Sequence, residues 1–321
     1  MNREATDAHS AILWTDRVYG PSTIDHEGVL RVIATPTFQR LRGIRQAGPS
    51  AFAHPFKTVS RYEHCLGAYL MLRRLGAEFV ECIAGLLHDV SHTAFSHAVD
   101  FLYDTEEQAH HESIKPKFLN RPDLRAALGD LGLQPEQFYH DSIYTLLERP
   151  LPWLCVDRLD YFLRDGASCG VVKPDMIARV LDALVVVDHK ICVNNVAVAH
   201  EIQDRFAEMN RRFWSGPVEA FIYNEFADAL RIGLETGVLS YDDLLADDEH
   251  VLACLRSSGD SEIQEKLDRV MRVPDAAVAS YRPRVAPKTR WLDPPVAIDG
   301  SVWPLSRLDS TALRGKSARA G

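Results

Sequence analysis

Ile83-Ala84-Gly85-Leu86-Leu87-His88-Asp89 carries an apolar run straight into two side chains that bind divalent metals. From Phe79 to His88 the chain is apolar on nearly every side (Val80, Ile83, Ala84, Leu86, Leu87), the pattern of a buried helix. A carboxylate at the end of such a helix is costly to desolvate unless a cation compensates it. Neighbouring helical residues project about 100° apart, so His88 and Asp89 can share one ion only if other segments supply further ligands.

Working outward, histidine is the informative residue. His92, His97, His110 and His111 follow within 23 positions of His88, interleaved with Asp100 and Glu112. A lone histidine on an apolar face is more often a packing residue than a ligand. A cluster of imidazoles and carboxylates instead suits a hard-to-borderline divalent metal.

The rest of the chain reads as mostly helical. Apolar spacing predicts a helix or helix pair from Glu27 interrupted at Pro36, then helices at 64–75 and 79–88. Further helices are expected near 94–104, 110–119, 136–148, 152–165, 197–213, 217–236 and 260–272. The strand signal is 182–195, where LVVV and KICVN flank Asp188-His189 as in a hairpin. Beyond Pro274 the Pro, Arg and Lys content predicts an extended, irregular tail carrying Arg282, Arg284, Lys288, Arg290, Arg314, Lys316 and Arg319. The expected organisation is a catalytic helical core at 1–170, a helical extension packed on it at 171–273, and the basic tail at 274–321.

Composition narrows the function classes. With 46% hydrophobic residues in 321, the chain can bury a substantial core. No apolar run approaches the roughly 20 residues a membrane helix needs, and the start has no signal-peptide core, so a cytoplasmic protein is expected. Six scattered cysteines without close pairs predict reduced thiols. A net charge of −9 disfavours broad adhesion to nucleic acid or anionic membrane.

Four ordered motifs then carry a resemblance. They are Arg61-Tyr-Glu-His64, His88-Asp89-Val-Ser-His92-Thr-Ala-Phe-Ser-His97-Ala-Val-Asp100, His111-Glu112, and Asp157-Arg158-Leu-Asp160-Tyr161-Phe-Leu-Arg164-Asp165. Together they resemble the HD-domain phosphohydrolase superfamily, and within it the branch of deoxynucleoside triphosphate triphosphohydrolases. Thr35-Pro-Thr-Phe-Gln-Arg-Leu-Arg-Gly-Ile-Arg-Gln46 matches that branch too. A bare His-Asp pair would mean nothing; four motifs in order are specific.

The resemblance implies an HD-type helical core with a small hairpin and a C-terminal helical part. It implies a divalent metal (Mn, Mg, Fe, Ni, Co or Zn) on His64, His88, Asp89 and Asp157. The family's catalytic polar residues fall on His92, His97, Asp100, His111 and Glu112, with Asp100 expected to orient His111 and His111 to manage protons at the leaving group. Arg61, Arg158 and Arg164 are expected at phosphates, and Gln46, Tyr161 and Asp165 at a deoxyribose. The implied reaction is hydrolysis of a dNTP to deoxynucleoside and tripolyphosphate by a homo-oligomer. Two departures weaken the finer reading. Ala34 stands where the regulated enzymes have an effector-binding acid, and Asn210-Arg-Arg-Phe-Trp-Ser-Gly216 replaces a stretch that contacts triphosphate and sugar. A phosphatase for nucleoside mono- or diphosphates is the enzymatic alternative, and a nucleotide- or nucleic-acid-binding protein the non-enzymatic one.

Overall fold

A computed structural model describes residues 11–103 and 109–309. Helices dominate. The helix Arg61–Arg74 starts at a capping box in which the Ser60 hydroxyl accepts from the Glu63 N–H and the Glu63 carboxylate accepts from the Ser60 N–H. It lies against the almost uniformly apolar helix Phe79–Leu87, and Val156–Ser168 packs on it as well. These three helices carry the His64, His88 and Asp157 motifs. One apolar cluster surrounds them, running from Val18 to Leu305. A second is built on the long helix Pro217–Glu235, with Val251, Leu255, Ile263 and Leu267 packed on it.

The break at Pro36 is real: helix Glu27–Ala34 ends at Thr35, whose hydroxyl accepts the Phe38 N–H to start a new turn at Pro36–Gln39. The expected hairpin forms as β3 (Leu184–Val187) and β4 (Lys190–Val193), with Asp188 and His189 both at positive φ, as a tight two-residue turn requires.

Three expectations are corrected. The stretch 136–148 is not a helix; it contains only 3₁₀ turns at Pro135–Phe138 and Asp141–Ile143. Its later backbone groups find tertiary partners instead. Glu81 accepts the N–H groups of Leu146 and Leu147 at 2.7 and 3.1 Å, while their carbonyls accept from Val156 and Asp157. Of the described residues within 94–104, Ala98–Leu102 alone are helical. The Ala94 N–H goes to the Leu244 carbonyl and the Phe95 N–H to the Asp248 carboxylate, so the lead-in is a pinned loop.

The stretch beyond Pro274 is not wholly irregular either. It holds helix Asp275–Ser280 and a hairpin of β5 (Pro295–Ile298) and β6 (Ser301–Pro304). β5 joins β4 in parallel at Val193↔Val296, giving one sheet in the order β3-β4-β5-β6. The signal was present in two apolar runs around Asp299-Gly300. Near the start, β1 (Ile12–Asp16) and β2 (Gly20–Ile24) make a separate two-stranded sheet. Arg314, Lys316 and Arg319 lie outside the described residues. Among the described residues no helix is long and apolar enough to cross a membrane.

Candidate metal centre and cavity

Ser60 places Arg61 and His64 in the first turn of their helix, with His64 fully buried. His88 ends the next helix and folds its Nδ1 back onto the Gly85 carbonyl at 2.8 Å. A carbonyl only accepts, so His88 Nδ1 carries the proton and Nε2 a lone pair. His64 Nδ1 likewise lies 2.7 Å from Asp160 Oδ2, which leaves its Nε2 facing inward.

The two Nε2 atoms are 3.0 Å apart, and Asp157 Oδ1 is 3.0 Å from His64 Nε2 and 3.5 Å from His88 Nε2. Ligands about 2.1 Å from one octahedral ion and at right angles to each other would be about 3 Å apart. Two imidazole lone pairs at this distance repel one another unless a cation or proton lies between them. Burial opposes protonation of both rings, yet the Asp157 and Asp160 hydrogen bonds raise His64 and the Asp89 charge raises His88. Asp157 is held far below its ordinary value: burial works against this, and its hydrogen bonds to the two histidines outweigh it. The donor set therefore fits a divalent cation. Asp89 sits at the margin, with Oδ2 3.6 Å from His64 Nε2 and Oδ1 3.7 Å from His88 Nε2. It is also ion-paired to Arg61 and lies 3.3 Å from His92 Nε2.

A buried network behind the centre holds it in place. Arg164, wholly buried, bonds both oxygens of Asp160 and pairs with Asp16 at 3.0 Å. The Tyr19 hydroxyl donates to Asp160 at 2.6 Å. Burial would raise the Asp160 pKa, but Arg164 and the His64 hydrogen bond bring it down to about 2. Gly67 makes room for this pair; a Cβ there would come within 2.0 Å of Arg164 Nη2 and 2.1 Å of Asp160 Oδ1.

The second histidine group stands beside the first. His92 and His111 stack at 4.0 Å, and His97 meets both edge-on at 4.9 and 5.5 Å. The loop that presents His92 and His97 is strained, with Phe95 and Ser96 at φ 59° and 53°. Asp248 pins it by accepting the N–H groups of Phe95 and Arg45, and the Ser96 hydroxyl donates to the Arg45 carbonyl. Burial and the His97 charge hold His111 at about 3, and burial with Arg61 keeps His92 well below the usual imidazole value. Both rings are neutral at pH 7. His111 Nδ1 is buried without a hydrogen-bond partner.

Asp100 does not hold His111 as expected. It accepts from His97 Nδ1 at 2.9 Å and from the His110 backbone N–H at 3.0 Å. The helix reason is simple: His97 and Asp100 lie three apart at the start of one helical turn, whereas His111 belongs to a separate helix.

Both groups open onto one cavity of about 900 Å³. Gln46, Arg61, Arg158, Tyr161, Asp165 and Glu112 also line it; Arg164 does not. Arg158 faces the cavity, where its Nη atoms donate to the carbonyls of Trp153 and Arg149 at 2.6 and 3.0 Å and pair with Glu148 at 3.4 Å, while its buried Nε has no partner. Asp165 accepts from Trp214 Nε1 at 3.1 Å, and Trp214 meets Tyr161 edge-on, forming an aromatic corner. Gln46 Oε1 is buried and unpartnered. Burial raises the Asp165 carboxyl, and burial with Asp141 raises Glu112.

Sequence reasoning assigned no role to Asp160, whose Arg164 partner at i+4 was a readable signal. It also missed Lys57, buried against Glu219 at 2.7 Å, and Glu148, which burial and Asp157 push up to about 7. Neither carries a local signature.

No family model matches the chain. It is 35% identical to an uncharacterized protein, YdhJ, of Bacillus subtilis, over 89% of this chain and 88% of that protein. It is 28% identical to the metal-dependent phosphohydrolase cns2 of the fungus Cordyceps militaris, over 81% of this chain and 78% of that one. To the human deoxynucleoside triphosphate triphosphohydrolase SAMHD1 it is 29% identical, over 46% of this chain but only 32% of that protein.

Proposed function

We propose, from the premise that the chain belongs to the HD-domain metal-dependent phosphohydrolases, that it hydrolyses a nucleotide carrying one or two phosphates. The chain is a hydrolytic enzyme with a divalent metal cofactor. His64, His88 and Asp157, with Asp89 alongside, are the residues that would hold the ion. When bound, such an ion supplies Lewis acidity for phosphoryl transfer and an acidified water near neutrality.

The chain's own groups divide the remaining work. His97, hydrogen-bonded through Nδ1 to buried Asp100 and lining the cavity, is placed to give a proton to the leaving oxygen. Neutral His111, with its bare Nδ1, and neutral His92 are suited to hydrogen-bond phosphate oxygens. Gln46 offers an unpartnered carbonyl to a sugar hydroxyl, and the Tyr161–Trp214 corner gives the sugar or base an apolar wall.

The observation that favours few phosphates is charge. Seven carboxylates but five cationic side chains line the cavity, and two arginines expected at phosphates, Arg158 and Arg164, are committed inside the protein. A divalent ion offsets that excess; every phosphate on the substrate then adds negative charge back, and a triphosphate adds the most. The competing reading, dNTP hydrolysis releasing tripolyphosphate, is favoured by Gln46, Tyr161 and Asp165 meeting in one cavity and by the SAMHD1 relatives. A panel of dAMP, dADP, dATP and their ribose counterparts, with product analysis, separates the two. Orthophosphate from dAMP or dADP at higher kcat/KM than any release from dATP is expected; tripolyphosphate from dATP as the main product overturns the proposal.

A further inference from the structure

Between Arg282 and Pro294 the chain is neither helix nor strand, and the prolines at 283, 287 and 294 keep it extended. It is nevertheless tied down at chosen points. Buried Asn224 clamps Val285 from both sides, donating to its carbonyl at 2.9 Å and accepting its N–H at 3.1 Å. Asn210, where the Val196–Met209 helix gives way to a π turn, accepts the Arg290 N–H at 2.9 Å. Gln203 donates to the Leu292 carbonyl, and the Asp293 N–H donates to the Pro152 carbonyl. Between the first two ties, Pro287, Lys288 and Arg290 reach the cavity wall.

This strap changes the cavity's charge. Of the five cations in the lining, Lys57 is paired with Glu219, Arg61 with Asp89, and Arg158 with Glu148 at 3.4 Å. The strap adds Lys288 and Arg290, of which Arg290 is itself partnered, its guanidinium donating to the Lys288 carbonyl at 3.1 Å. The Lys288 charge acts on Glu112, next to His111, while that of Arg290 acts on the hydroxyls of Tyr161 and Tyr223.

We propose that the strap is a phosphate-recognition arm: Lys288 and Arg290 draw the anionic phosphate of the substrate into a cavity whose own walls are predominantly acidic. The arm rests on the phosphoester reading of the cavity and not on the nucleoside part of it. Lys288 is exposed at the mouth, so it captures the anion early and adds to binding more than to the chemical step.

The test uses the full-length, metal-loaded enzyme with p-nitrophenyl phosphate as substrate and inorganic phosphate as inhibitor. The double variant K288M/R290M is expected to raise KM and the phosphate Ki on the order of tenfold, at a kcat within about twofold of wild type. Added NaCl should raise KM steeply in wild type and much less in the variant, because the charges it screens are gone. The charge-conserving K288R/R290K should restore both constants. Calorimetric binding of inorganic phosphate reads the same loss without turnover. Unchanged KM, Ki and phosphate affinity overturn the proposal. So does a loss that K288R/R290K fails to restore with the salt dependence unaltered, since that pattern means packing. Failure of every nucleotide in the panel, with the phosphate effect intact, would overturn the nucleoside reading and leave the arm standing.

Discussion

Replacing Arg164 with methionine separates two roles for the same residue. A phosphate-binding arginine would, on loss, raise KM and leave the fold alone. In the structure its guanidinium is fully buried and bonded to Asp160 and Asp16, and Asp160 holds His64. Arg164→Met therefore strands two buried carboxylates. Removing one partner of a buried pair costs about 3–5 kcal/mol, which for a chain of this size is roughly 4–8 °C in Tm. His64 then loses its fixed tautomer, and metal affinity falls by on the order of 10–100-fold, as when the group behind a ligand is removed. Thermal unfolding with and without chelator, together with metal titration, reads both effects. The linkage has a definite sign. Asp160 is depressed to about 2 when folded, so its contribution is full above its unfolded value near 4 and is lost as pH falls from there towards 2. Neutralising the stranded acid in D160N/R164M should recover part of the stability but not the metal affinity. If Arg164→Met keeps wild-type Tm and metal affinity while KM rises tenfold or more, the positioning argument is wrong and the phosphate reading returns.

Chelation should abolish activity and lower Tm, because the ion binds only the folded state, and Asp157→Ala should lose the metal while staying helical; full metal occupancy in that variant would contradict the ligand assignment. His97→Ala should cost roughly 10²–10⁴ in kcat on a nucleotide but far less on p-nitrophenyl phosphate, whose leaving group needs no proton; equal losses on both would remove the acid role. Burial pushes Asp248 up to about 7, against hydrogen bonds from the backbone N–H groups of Phe95 and Arg45. A raised folded pKa means the extra stability is present below about pH 4 and fades as pH rises towards 7. Urea unfolding between pH 5 and 7.5 should show that decline in wild type and not in Asp248→Asn; parallel curves would discount the group.

Much of the fold was readable because its signals are local. Helices at 61–74, 79–87, 217–235 and 261–272 follow from apolar spacing and from caps such as Ser60 with Glu63, and the β3–β4 hairpin from two apolar runs around a turn. The identities of the residues that meet at the metal centre were readable for a different reason. Their chemistry is scarce, and four motifs recur in a known order.

What those residues touch was decided only by the tertiary structure. Asp157 lies 93 residues from His64 and Asp248 lies 153 from Phe95, and no period in the chain encodes such pairings. Arg164 looks the same in sequence whether it faces a phosphate or a buried aspartate; the close approach at Gly67 places it inside. Residues 136–148 have a helix's composition, but Glu81, Val156 and Asp157 bind the backbone groups a helix would have used. The chain by itself determined which elements form and which side chains can hold a metal. The packing determined which charges remain for a substrate, because a buried charge must take the nearest partner the fold provides.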